Sequence, residues 1–134
     1  MASNAQGSSS VKALLVEDMP VDTLLLSTML RHFHCETKVA KNGKEAIDLF
    51  LEGNKFDIVL VEKRIPIITG PEAVEKIRAM GETDVKIVGL SIETDDQEAF
   101  MSAGADVFVS KPMKLDVLGA MIQEVINKKN NAMV

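Results

Sequence analysis

Five short stretches fix most of what this chain can become: Glu17-Asp18 after the run Leu14-Leu15-Val16, Glu62 after Ile58-Val59-Leu60-Val61, Ser91 after Val88-Gly89-Leu90, then Phe108, and finally Lys111-Pro112. The apolar runs are of the kind that forms buried strands, and parallel strands in an open α/β sheet line up their carboxyl ends along one crevice. Three carboxylates, a hydroxyl and an ammonium are therefore expected to meet at one place.

The intervening sequence supplies the crossovers such a sheet needs. Strands are expected over 11–16, 35–40, 56–61, 85–90 and 106–109. Pro20, at a favoured first-turn position, opens a helix to about Phe33 with apolar residues at 21, 24, 25, 29 and 30. Further helices are expected after the Asn42-Gly43 turn (44–51), from Thr69-Gly70-Pro71 to about Met80-Gly81, over 94–103 closed by Gly104, and over 115–126. Five βα repeats require a parallel sheet covered on both faces, with right-handed crossovers. The expected division is a flexible tail over 1–10, one domain over 11–128 and a tail over 129–134.

Composition narrows the class. With 134 residues and 46% hydrophobic content the chain can bury one sizeable core. A single cysteine excludes an intramolecular disulfide framework and favours a reducing compartment. Residues 1–10 carry no apolar signal core, and no apolar run approaches the roughly 20 residues of a membrane span. A net charge of −5 and a pI near 5.0 argue against nucleic-acid binding. The expectation is a soluble monomer of the cytoplasm or nucleus, without nucleic-acid or membrane partners.

In their order and spacing these residues resemble the receiver domains of two-component response regulators, over about Val11 to Lys128. The resemblance implies a flavodoxin-like (βα)5 doubly wound parallel sheet with strand order 2-1-3-4-5. In that family an acidic pair ends the first strand, a phosphate-accepting Asp the third and a Thr or Ser the fourth, while an aromatic sits in the fifth and a Lys-Pro pair follows. Glu17-Asp18, Glu62, Ser91, Phe108 and Lys111-Pro112 stand at those positions, and Pro66, Gly70 and Gly104-Ala105-Asp106 also fit. The Asn42-Gly43-Lys44-Glu45-Ala46 stretch looks most like the stand-alone receivers of plant phosphorelays.

The resemblance also implies roles. Glu17, Asp18, the residue at 62 and the backbone carbonyl of Arg64 would hold Mg²⁺, a hard cation suited to oxygen ligands. Lys111 would pair with the acceptor and then with a phosphate oxygen. Ser91 and Phe108 would form the switch. Phosphoryl transfer of this kind is mostly positioning and charge neutralisation. The implied partner is a histidine-phosphotransfer protein or histidine kinase, docking beside Met19 and Pro20.

Two departures bear on that chemistry. Glu62 replaces the accepting aspartate, and its extra methylene carries the carboxylate on the order of 1.5 Å further, where roughly 1 Å of misplacement can cost about a hundredfold. Its charge is an incomplete mimic of a phosphoryl group. Arg64 adds a cation: it is expected to lie over the carboxylates, weakening Mg²⁺ binding, or to pair across the rim with Glu93. The reading that follows is a degenerate receiver acting as a binding module; the alternative is an active, phosphate-accepting receiver. A flavin protein of the same fold class is disfavoured, because Glu17-Asp18-Met19-Pro20 is acidic where a phosphate-cradling loop needs open amides and hydroxyls. Neither flavin nor nucleotide is expected, and the His32, His34, Cys35 group lacks a fourth metal ligand.

Overall fold

The computed structural model describes residues 10–132. Five strands, β1 (Lys12–Val16), β2 (Glu36–Ala40), β3 (Ile58–Glu62), β4 (Lys86–Ser91) and β5 (Val107–Ser110), form one sheet in the order β2-β1-β3-β4-β5, and every pairing is parallel. Helices α1 (Pro20–His32), α2 (Gly43–Leu51), α3 (Gly70–Ala79), α4 (Gln97–Ala103) and α5 (Leu115–Ala132) make the crossovers, with a 3₁₀ turn at Thr94–Asp96 before α4. This is the doubly wound α/β architecture expected from the sequence.

Alternation along each strand sends neighbouring side chains to opposite faces. Leu15, Leu60 and Leu90 pack with Leu30 of α1 and Leu118 and Ile122 of α5. Leu14, Val59, Val61 and Ile87 pack with Phe50, Ile77 and Phe100 from α2, α3 and α4. β3 lies at the centre and is buried along its whole length, which is why it reads as a continuous apolar run. Each fully buried Leu or Ile contributes about 1.5–3 kcal/mol.

Local signals set the helix starts. The Asn42 side chain accepts from Glu45 N at 2.8 Å, and Thr69 with Glu72 forms a reciprocal capping box. Two glycines are fixed by close approach: a Cβ at Gly70 would run into the Glu62 carbonyl oxygen, and one at Gly89 into the Phe100 ring.

The largest departures of the fold from the sequence expectation lie in α1 and α5. Val21, Leu24 and Leu25 of α1 are exposed, and the buried stripe is Leu26, Met29 and Leu30. The helix is apolar over more than one face, so periodicity alone did not select the packed one. At the other end α5 continues past 126 to Ala132, so 129–132 are helix and not tail. Polar residues extend it because Lys129 Nζ reaches Asp57 Oδ2 (2.9 Å) and Ser10 O (3.1 Å), and Lys128 Nζ reaches Asp84 O (3.1 Å). Of the expected tails, 1–9 and 133–134 lie outside the described residues. Among the described residues no helix is long and apolar enough to cross a membrane.

Candidate functional site

β1, β3, β4 and β5 end side by side, and the residues that close them converge. Glu17 follows β1 and its N–H donates to Ala40 O of β2 (3.0 Å), so the backbone is held by the edge of the ladder while the side chain, 1% exposed, turns inward. Glu62 is the last residue of β3, in register with Leu90. Lys111 follows β5, its N–H donating to Ser91 O (2.9 Å), with a cis peptide bond to Pro112.

Lys111 is the centre of the site. Its Nζ donates to Glu62 Oε1 (2.5 Å), Asp22 Oδ2 (2.7 Å) and Glu17 Oε1 (3.3 Å). Burial works against its charge, but the hydrogen bonds to Asp22 and Glu62 and the charges of Glu62 and Glu17 outweigh that and hold the ammonium above its ordinary pKa. Burial likewise raises the Glu17 carboxyl; Lys111 opposes the shift and Glu62 adds to it. The second oxygen of Glu62 accepts from the Lys63 backbone N–H (2.7 Å). Three carboxylates thus face one ammonium, a formal excess of two negative charges.

The third carboxylate at Lys111 is one the sequence reading did not name. Asp18, expected as a ligand of the acidic pair, is exposed, and Asp22 from the first turn of α1 takes the inner place beside Glu17 and Glu62. Oxygens of Glu17, Asp22 and Glu62 lie within 4.8 Å of one another. As an all-oxygen donor set they fit a hard cation such as Mg²⁺, in a space that the Lys111 ammonium already serves.

Of the two arrangements expected for Arg64, the structure holds the rim pair with Glu93. The arginine side chain does not lie over the carboxylates; Nη2 donates to Glu93 Oε1 (2.9 Å), with 76% and 56% of the two side chains exposed. It is a rim pair, and the internal cation is Lys111.

Ser91 is 3% exposed, and its hydroxyl is engaged by the segment that follows β4. Its Oγ donates to Asp96 Oδ2 (2.6 Å) and accepts from Glu93 N (3.1 Å), while Lys63 Nζ donates to Asp96 Oδ1 (2.8 Å). Those two hydrogen bonds, from Lys63 and then Ser91, hold the Asp96 carboxyl below its ordinary range. Phe108, opposite Gly89 in the ladder, packs at 6.0 Å from the Phe100 ring.

Met19 and Pro20 stand exposed at the mouth with Val21 and Leu24 beyond them. Ile67, 68% exposed in the loop after β3, holds a left-handed φ of 80°. Cys35 is buried, its thiol pushed up to about 11 by burial and by the Asp57 charge; it is a core residue, and no metal group among the described residues includes it, His32 or His34.

Residues 13–123 match the response regulator receiver domain family. The chain is 54% identical over 132 residues to the two-component response regulator ORR42 of Oryza sativa subsp. japonica, covering 98% of each. Its fold superposes with a TM-score of 0.80 on the receiver domain of the Pseudomonas aeruginosa sensor histidine kinase PA1611, crystallised with a magnesium ion in its active-site cleft, at 29% identity over 88% of this chain and 98% of that one. The receiver domain of Ssk1, solved in complex with the Saccharomyces cerevisiae histidine phosphotransfer protein Ypd1, is similar at a TM-score of 0.76 and 27% identity, over 86% of this chain and 88% of that one. The chain belongs to the receiver domains of two-component response regulators.

Proposed function

We propose that this receiver is a degenerate one: it docks a histidine-phosphotransfer protein or histidine kinase but does not accept phosphate at position 62 in the ordinary way. The observation that carries the reading is the state of Glu62, whose two oxygens are taken by Lys111 Nζ and by the Lys63 amide. A phosphorus centre needs one of those oxygens as nucleophile, aligned with the leaving group. The extra methylene, with the carboxylate pinned by those two donors, places the oxygens off that alignment.

Glu17, Asp22 and Glu62 are the residues that would hold Mg²⁺, which would neutralise charge on a transferring phosphoryl group. Binding is expected to be weak, because the cation must share the three carboxylates with Lys111. Docking is assigned to the mouth of the site. Met19 is 56% exposed and Val21 77%, next to Pro20 and on the side from which a phosphohistidine approaches. The likeness to the Ypd1-bound Ssk1 domain supports this choice of partner.

Phosphotransfer from a labelled histidine-phosphotransfer protein tests the reading. The unmodified chain should bind that partner at tens of micromolar and take up little label, whereas Glu62→Asp should label. Uptake at Glu62 equal to that of the aspartate variant would overturn the proposal in favour of the phosphate-accepting alternative. Absence of a complex at those concentrations would remove the docking half of it.

A further inference from the structure

We propose that Asp96 is a positioning residue that holds the Ser91 hydroxyl away from position 62, with Lys63 fixing Asp96 in turn. The inference rests on reading Ser91 as the hydroxyl that answers negative charge at the acceptor. A hydroxyl has one proton to give, and Ser91 gives it to Asp96 Oδ2 at 2.6 Å while Oγ accepts from Glu93 N at 3.1 Å. With its one proton given to Asp96, the hydroxyl has no donor left for a negatively charged group at 62.

The arrangement is specific to these side chains. Asp96 directly precedes α4, yet its carboxylate caps no amide of that helix. What it holds is Ser91 through one oxygen and Lys63 Nζ through the other, at 2.8 Å. The Asp96 and Lys63 side chains are 13% and 25% exposed, so this pair is shielded more than the Arg64–Glu93 pair at the rim. Lys63 is also the residue whose amide bonds Glu62 Oε2. Negative charge at 62 and the latch on Ser91 therefore share one residue, and Ser91 turns inward only by giving up a charge-assisted hydrogen bond.

Solution NMR on the full chain tests this through the Hα–Hβ couplings of Ser91, which report its rotamer. The unmodified protein should show one rotamer, Asp96→Ala an averaged pair of couplings and Lys63→Met an intermediate value. The near-isosteric Asp96→Asn, which keeps an acceptor oxygen but loses the charge, should fall between the unmodified chain and Asp96→Ala. A second measurement titrates beryllofluoride with Mg²⁺ into Glu62→Asp. Adding Asp96→Ala should tighten binding about tenfold, the scale of one charged hydrogen bond no longer opposing the inward turn. Ser91 couplings unchanged in both Asp96 variants, or beryllofluoride affinity unchanged by Asp96→Ala, would overturn the proposal. If Glu62→Asp binds no beryllofluoride in any background, the acceptor-site reading fails, and the couplings alone decide the role of Asp96.

Discussion

The two ends of the sheet use charge in opposite ways. At the amino end, cations are matched to acceptors that tie loops together. Arg78 donates to the carbonyls of Gly104 (2.9 Å), Glu82 (2.8 Å) and Val85 (2.9 Å) and to Asp106 Oδ2 (2.8 Å), and Asp106 in turn accepts from Ile87 N. Lys129 joins Asp57 to the carbonyl of Ser10, and Lys86 joins Glu124. At the carboxyl end one ammonium serves three carboxylates, in a place where Glu17 is 1% exposed. Matched charge at one end is fastening; at the centre of the other, carboxylates outnumber the ammonium, an all-oxygen cluster that fits a hard cation.

Removing the central cation is the largest way to break that contrast. Lys111→Met leaves buried carboxylates without their partner, and stability at neutral pH should fall by about 3–5 kcal/mol in urea unfolding. The pH dependence has a definite sign. Glu17 already binds its proton more tightly in the folded chain than at its ordinary value of 4.5, so its penalty is present at neutral pH and relieved as pH falls toward that value. The Lys111→Met deficit should therefore shrink on acidification, and a variant as stable as the parent at pH 7 would mean that the cluster carries no excess charge. The Lys111 contribution itself is constant through the neutral range, since its raised pKa moves the loss to pH above 10.5.

At the amino end Arg78→Met should cost about 2–4 kcal/mol, from three part-buried carbonyls that lose this donor. The amide signals of Glu62 and Ser91 should stay in place. Movement of those signals would show that the two ends are coupled and that the comparison is false. The smallest effect belongs to the rim: Arg64→Gln should change stability by no more than about 0.5 kcal/mol in the same unfolding assay, because both partners are mostly in water. A larger loss would place Arg64 in the cluster after all.

Much of this was legible in the chain itself. The five strand runs, their common carboxyl edge and the sheet order follow from apolar runs, turn residues and family resemblance, and Glu17, Glu62 and Lys111 do stand together. Asp22 was not legible. In sequence it is an acidic residue in the first turn of a helix, which favours negative charge near its amino end for purely local reasons. Only the crossover brings it to Lys111, 89 residues away. Asp18 misled for a related reason: neighbours in extended chain point to opposite sides, and past Val16 the inward turn belongs to Glu17. The exposed face of α1 and the Asp96 bond to Ser91 are likewise tertiary facts, invisible to periodicity.

The ladder stops where the chemistry starts. Glu62 and Ser91 are the last rungs of β3 and β4, while Glu17 and Lys111 stand one residue beyond β1 and β5, their amides still tied to neighbouring strands. Apolar burial below that line holds the backbone whatever those side chains are. A lineage carrying this sheet can thus rewrite one terminal residue, aspartate to glutamate or back, and change what the protein answers to without having to find a new way to fold.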